Sequence, residues 1–443
     1  MNVESAALTA RMTKVWGTRE SWFRSWGFPL ALILCCPPIT ILLWMTSVFY
    51  GGSIVDFARE ITWADFVARF PLPSLTAVGI LSAWLLLELA LLLGLPGKEH
   101  FGPVTPMGNR PRYKLNGVAA FFVTHGLLFV LAYPLHLFSP TIVYDHFGEI
   151  LITLSLFALV FCGFLYWKGS HRPSTSDASV SGNFIWDYYW GVELHPELFG
   201  VKLKQLFNCR LSMMGWSVIL FSFLAKQHEL YGYVSNSMWI SVGLQVLYIF
   251  KFFVWEGGYF NSLDIMHDRF GFYICWGVTA WLPCVYTLVG LYLVQHPIDL
   301  TAPVAAGIVA LGVGSIWMNY AADAQRQKVR ATNGEATIWG RKPELIRAEY
   351  ETGDGEKRQS ILLVSGYWKI ARHFHYVPEI MLSLAWTLPA LFSNVLPYFY
   401  VVYLTVLLVD RSGRDDVRCR QKYGEYWAQY CERVPYKIIP GLY

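Results

Sequence analysis

Apolar runs recur along almost the whole of this chain, and they leave it very few folds. Ten stretches stand out, at approximately 28–50, 75–95, 115–137, 150–167, 211–225, 238–255, 270–293, 304–320, 377–392 and 395–409. A helix that crosses a bilayer needs roughly 20 mostly apolar residues, and fewer where neighbouring helices bury it. The stretch at 211–225 and the last two are short, and Pro37 and Pro38 are expected to kink the first. Only 15% of the 443 residues are charged and 55% are hydrophobic, where a soluble domain carries about 25% charged residues. The expectation is an all-α, polytopic membrane protein with about ten transmembrane helices, forming one integral-membrane unit over 1–443 with 1–27 as a polar N-terminal segment.

The charges test that topology. With the N-terminus cytoplasmic, the segments on its side of the membrane hold 31 Lys and Arg, the opposite loops hold 3, and Lys251 lies within a span. Such a positive-inside bias supports both the span count and the orientation, and it puts both termini in the cytoplasm. The segment 168–210 is aromatic and amphipathic, as expected of chain lying in the interface. The loop 321–376 and the C-terminal tail are basic, so a soluble anionic ligand on that side meets a positive surface.

Several chemistries are excluded or weakened. A net charge of +4 is too mild for nucleic acid. The eight Cys include no CxxC pair, which gives neither a zinc site nor a disulfide framework. The eleven His are scattered, with only His373 and His375 close together, so no metal is expected. No GxGxxG or Walker loop is present, and a nucleotide needs another cradle. Arg326 and Arg330 stand four apart, one face of a helix, and Arg414, Arg418 and Lys422 repeat that spacing. Guanidinium groups grip phosphate, and Trp368, Tyr376, Tyr423 and Tyr430 offer rings to stack on. The same pattern also suits headgroup anchoring. Glu88, His125 and Lys251 are ionisable residues within spans, and Glu256, Asp264 and Asp268 lie at a span boundary; each is either functional or a satisfied packing residue. The span 270–293 is interrupted by Pro283 and carries the hydroxyls of Tyr273, Thr279, Tyr286 and Thr287, which suits a pocket for a mostly apolar ligand.

The tail RDDVRCRQKYGEYW resembles the C-terminal signature of the sterol reductase family, and GNFIWDYYWGVELHP resembles its other signature. GPVTPMGNRPRYKLNG, DIMHDRFGFY, WLPCVYTLVGLYLVQHP, LLVSGYWKIARHF and VPYKIIPGLY extend the resemblance in order from about residue 100 to the end. They fit best the branch that reduces the sterol Δ7 bond, of the 7-dehydrocholesterol to cholesterol type. The resemblance implies NADPH as cofactor, a sterol as substrate, and a cytoplasm-facing cofactor pocket built mostly from 321–443. It implies cofactor contacts from Arg330, Leu363, Trp368, Tyr376, Asp415, Cys419, Lys422, Tyr423 and Tyr430, with Arg326 standing where a lysine is usual and His375 where an asparagine is usual. It also implies the endoplasmic reticulum membrane for a eukaryotic chain and the inner membrane for a bacterial one.

Departures from the family pattern touch the substrate. Val278 and Val289 replace an aspartate and a glutamine of the presumed sterol pocket, and His195-Pro196-Glu197 replaces Asn-Pro-Arg. A C24(28) or C14 sterol reductase is the alternative. Because an unpolarised alkene accepts hydride poorly, protonation to a tertiary carbocation comes first and needs a general acid. Tyr286 is the nominated acid, with Asp415 assisting it or orienting the cofactor; Tyr273, Glu256 and Asp264 are in reserve. The ending KYGEYWAQYCERVPYKIIP also resembles S-adenosylmethionine-dependent membrane methyltransferases, and a non-catalytic sterol-binding role is a third class.

Overall fold

Every apolar run folds as helix. The computed structural model describes residues 22–353 and 355–443, so most of the expected N-terminal segment 1–27 lies outside the described residues. Seven helices among these are long and apolar enough to cross a membrane: α1 (Phe23–Phe49), α2 (Leu75–Gly94), α4 (Phe147–His171), α5 (Gln205–Tyr231), α6 (Asn236–Val254), α7 (Phe272–Gln295) and α8 (Ala302–Ala331). The chain is thus a helical, polytopic membrane protein. The remaining expected spans are the shorter α3 (Gly117–Ala132), α9 (Tyr376–Thr387) and α10 (Phe399–Tyr423), followed by α11 (Glu425–Arg433). Starts are set by side-chain caps: Ser74 accepts from the Ala77 N–H and Ser235 from the Met238 N–H.

Two helices outrun their apolar sequence, and this builds the site. The 30 residues of α8 rise about 45 Å, well beyond the ~30 Å hydrocarbon core. Its last turns therefore carry Asp323, Arg326 and Arg330 out of the apolar layer without a break in the backbone. Helix α10 does the same with Arg411, Arg414, Asp415, Arg418 and Lys422. Helix α9 packs against both α8 and α10. The chain leaves α8 through Asn333 and Gly334, both at positive φ.

Short β elements accompany the helices. Among the described residues there are three antiparallel hairpins: β1 (Lys98–Phe101) with β2 (Arg112–Leu115), β3 (Glu197–Leu198) with β4 (Val201–Lys202), and β5 (Leu345–Glu351) with β6 (Lys357–Leu363). In the last, Leu345 faces Leu363 and Ile346 faces Leu362, and its inner face packs on α10 and α11. The segment 168–210, expected to lie in the interface, packs one face against the helices. Its short helix Phe184–Trp190 buries Asp187, Tyr189 and Trp190, and the Trp190 ring stacks on Tyr273 of α7 at 5.6 Å.

Helix α7 is broken as expected. It starts as π-helix over Phe272–Trp281, tightens to α-helix over Leu282–Val285, and resumes at Leu288. At the interruption the Thr287 hydroxyl donates to the Pro283 carbonyl at 2.6 Å, which leaves Tyr286 at the bend.

Candidate active site

Helices α6 to α10 and the hairpin β5–β6 surround one continuous cavity of about 1730 Å³. All of the sequence-nominated cofactor residues and both nominated catalytic residues line it. The cavity has a cationic, aromatic mouth and a deep phenol-lined chamber.

At the mouth, Arg326 lies flat over the Trp368 ring, 4.0 Å from its centroid, and pairs with Asp323 at 3.2 Å. The Trp368 indole N–H donates to the Ala322 carbonyl at 2.8 Å, which pins the ring to α8. Gly366 makes this approach possible: it has positive φ, and a Cβ there would collide with Gln325 Oε1. Arg330 donates through Nε to the Ile361 carbonyl at 3.3 Å, near the end of β6 where Leu363 is buried. On the opposite wall Lys422 sits 4.0 Å from the Tyr350 ring centroid and 5.1 Å from that of Tyr423. The Tyr430 hydroxyl reaches the Trp368 carbonyl at 3.4 Å, and Tyr423 reaches Ser360 at the same distance. His375 is packed between Trp368 and Tyr376, and its Nδ1 is buried without a hydrogen-bond partner among the described residues. Among the described residues no three His, Cys, Asp or Glu gather as metal ligands.

Between mouth and chamber stands Asp415. Arg418 donates to its Oδ1 from Nε at 2.8 Å and from Nη2 at 2.6 Å. His373 Nε2 lies 3.7 Å from the other oxygen. Burial pushes the Asp415 carboxyl up, but the Arg418 guanidinium and His373 outweigh it and hold it well below the usual carboxylate range. Asp415 is therefore a carboxylate at neutral pH, an acceptor and orienter. Burial drives the His373 imidazole down to about 4 against the pull of Asp415, so this ring is neutral. Burial pushes the neighbouring Cys419 thiol up to about 12, which makes it an inert wall.

The chamber is walled by Tyr248, Tyr286, Tyr400 and Tyr403 with Trp216 and Trp281. The Tyr286 ring meets Trp216 edge-on at 5.1 Å and Tyr400 at 4.5 Å. Its hydroxyl makes no hydrogen bond among the described residues. Tyr248, which sequence reasoning missed, donates its hydroxyl to Glu379 Oε1 at 2.6 Å. Asn319 donates to the other Glu379 oxygen at 2.9 Å and accepts from Lys251 Nζ at 2.7 Å. Lys251 was singled out from its span; Glu379 and Asn319 were not. Of the reserve residues, Tyr273 accepts from Arg414 Nη2 at 2.9 Å and Asp264 pairs with Arg411 at 2.5 Å, both on the cavity wall.

Other flagged groups lie elsewhere. Glu256 is locked to Arg210 at 2.7 Å and accepts from the Gly117 N–H, outside the cavity lining. Glu88 accepts from Thr124 at 2.6 Å, and His125 bonds Phe121 and Ser217. Asp268 pairs with Arg414 and His267 behind the wall. Each of these groups has a protein partner outside the cavity, although Glu88 Oε2 and Asp268 Oδ2 are buried without a hydrogen bond among the described residues.

The family model for ergosterol biosynthesis, ERG4/ERG24, matches residues 17–443. The chain belongs to the ergosterol biosynthesis ERG4/ERG24 family. A 7-dehydrocholesterol reductase of Arabidopsis thaliana is 49% identical over 418 residues, 94% of this chain and 96% of the relative. One of Xenopus laevis is 39% identical across 95% and 94%. A Δ14-sterol reductase of Methylotuvimicrobium alcaliphilum is 35% identical across 99% and 98%.

In this ERG4/ERG24 chain the three departures separate. Val278 lines the cavity and its carbonyl accepts from the Ser212 hydroxyl. Val289, expected in the same pocket, is 2% exposed in the helix core and lines no part of the cavity. It sits one residue into the resumed helix after the bend, on its packed side. His195 bonds the Tyr113 hydroxyl at 3.1 Å, and Glu197 pairs with Lys202 within the β3–β4 hairpin.

Proposed function

We propose that this sterol reductase saturates the Δ7 carbon–carbon double bond of a sterol of the 7-dehydrocholesterol type, using NADPH. The observation that carries the reading is the continuity of one cavity from a phosphate-ready mouth to an apolar, phenol-walled chamber. The 49% identity to a protein named 7-dehydrocholesterol reductase, over 94% of the chain, favours Δ7 over Δ14.

NADPH fits the residues present. Arg326, Arg330 and Lys422 offer charge-assisted contacts to phosphate, Trp368, Tyr423 and Tyr430 offer faces and hydroxyls, and the unpartnered Nδ1 of His375 offers a polar contact. When bound, the cofactor supplies hydride. Asp415, ionised and clamped by Arg418, orients that end of the site. A phenol on the chamber wall supplies the proton that the alkene needs. The nominated Tyr286 reaches the chamber, but the support a weak acid requires is found at Tyr248. With Glu379 protonated from solvent, its carboxyl O–H would donate to Tyr248 Oη; as the phenolic proton passes to an alkene carbon, the carboxyl proton would move to the phenol oxygen and leave Glu379 a carboxylate. Tyr248 is accordingly the donor and Tyr286 the second reading.

The chain forms a ten-span unit with both termini and the cavity mouth on the cytoplasmic side, supported by the 31-to-3 distribution of Lys and Arg. Its membrane is the endoplasmic reticulum in a eukaryote and the inner membrane in a bacterium. The test is turnover of a sterol panel by purified protein with NADPH, followed by mass spectrometry. Loss of the Δ7 bond is expected. Reduction of only the Δ14 or C24(28) bond overturns the regiochemistry, and no sterol-dependent NADPH oxidation overturns the reading.

A further inference from the structure

The cavity wall also carries polar atoms that neither the cofactor mouth nor the phenol wall uses. Asn208, three residues into α5, is 2% exposed and gives its amide N–H to the Tyr259 hydroxyl at 2.9 Å. Its Oδ1 is buried without a partner among the described residues. The same holds for Ser262 Oγ and His100 Nε2, and all three residues line the cavity. They gather round a single turn between α6 and α7. The Ser262 N–H donates to the Tyr259 carbonyl at 2.9 Å. The His100 Nδ1 lies 3.4 Å from where a Cβ on Gly257 would stand, and its ring is 6.1 Å from that of Phe260. Phe252 and Trp255, at the end of α6, line the cavity beside this turn.

Three buried, unpartnered polar atoms in one niche are costly unless something pairs with them. Their chemistry specifies the partner. An amide oxygen accepts only, a serine hydroxyl donates and accepts, and an imidazole nitrogen donates or accepts according to its tautomer. Each of them can pair with an alcohol, which has one proton to give and lone pairs to fill. The aromatic neighbours match a rigid apolar body behind that alcohol. The niche also sits at the end of the bundle where α5 begins, α6 ends and α7 begins; on the orientation proposed above this is the cytoplasmic end, where a sterol in that leaflet would carry its hydroxyl.

We propose that Asn208, Ser262 and His100 form the subsite for the sterol 3-hydroxyl and so set the depth at which the ring system enters. This rests on the sterol reductase reading and deepens it. The test uses full-length enzyme with 7-dehydrocholesterol and its 3-deoxy analogue, measuring kcat/KM for each and equilibrium binding of each by tryptophan quenching. Wild type is expected to prefer the alcohol by roughly 100-fold or more. Asn208→Leu and Ser262→Ala are expected to cut that preference roughly tenfold by weakening the alcohol alone, with KM for NADPH unchanged. Ser262→Ala removes a hydroxyl with no protein partner, so it remains informative if Asn208→Leu does not fold. Equal weakening of both sterols, or no preference in wild type, overturns the subsite. Preferential binding of the alcohol without reduction leaves the subsite standing and overturns only the reductase reading; binding of neither sterol overturns both.

Discussion

Tyr248 and Glu379 meet across the cavity, phenol hydroxyl to carboxylate oxygen at 2.6 Å, from helices 131 residues apart in sequence. With Glu379 protonated, the pair gives the weakly acidic phenol a neighbour able to replace the proton it donates. Tyr248→Phe removes the transferable proton and keeps the ring packed on Trp216 and Trp386. The expected outcome is a fall in kcat of roughly 10²–10⁴, the range of a lost general acid, with KM for NADPH nearly unchanged. Tyr286→Phe is expected to lower kcat less. Sterol-dependent NADPH oxidation by the two purified variants decides between them: a larger loss in Tyr286→Phe reverses the assignment.

Asp415 is held by two hydrogen bonds from one guanidinium, so its replacement acts on orientation and on stability together. Asp415→Asn keeps the shape but removes the charge that Arg418 and His373 face. Hydrogen bonds to charged groups contribute roughly 1.5–3 kcal/mol, and the side chain is 12% exposed, which leaves little solvent to take over. The expected result is a lower melting temperature, with kcat down at least roughly tenfold. A full-activity Asp415→Asn variant of unchanged melting temperature contradicts the role.

Much of this was legible in the chain, for identifiable reasons. Apolar runs of span length report helices directly, and the i, i+4 spacing of Arg326 and Arg330 put them on one face as observed. Helix ends were not legible: 304–320 and 395–409 mark where apolar sequence stops, but α8 and α10 continue because polar residues such as Gln, Arg and Lys prolong a helix at little cost. The hairpin β5–β6 left a signal in the alternation of LIRAEYE and the Gly-containing turn after it, hidden inside a segment read only for its charge. The Tyr248–Glu379 pair left none. A tyrosine on an aromatic helix reads as packing, and only the approach of α9 to α6 gives its hydroxyl a partner.

The mouth makes a separable prediction about affinity. Arg326 is oriented by its stack on Trp368, a cation–π contact at 4.0 Å. Trp368→Ala should therefore weaken NADPH binding through the arginine as well as through the lost ring. Arg326→Ala, Arg330→Ala and Lys422→Ala are each expected to raise KM for NADPH roughly 10- to 100-fold, the worth of one charge-assisted contact. KM for the sterol should change little, and the wild-type KM for NADPH should rise with salt. Equal changes in the two KM values would place these residues on the sterol instead.

Acid should unfold the site before it discharges Asp415. His373 is neutral in the fold, with its imidazole lowered by burial to about 4, against about 6.5 in an unfolded chain. Between those values the unfolded state binds the extra proton, so stability from this group is complete above about pH 6.5 and is lost as pH falls toward 4. His267 is lowered by burial in the same direction, and the two losses add. Asp415, held below the usual carboxylate range, contributes stability that disappears only at still lower pH. Folding stability in detergent, read as the melting temperature, should therefore decline progressively from about pH 6.5 downward, by on the order of a few kcal/mol. In His373→Gln, which cannot protonate, the decline should be shallower, with wild type and variant converging as pH falls. Melting curves of the two proteins from pH 7.5 to 4.5 provide the check, and parallel curves would show that His373 is not the group being titrated.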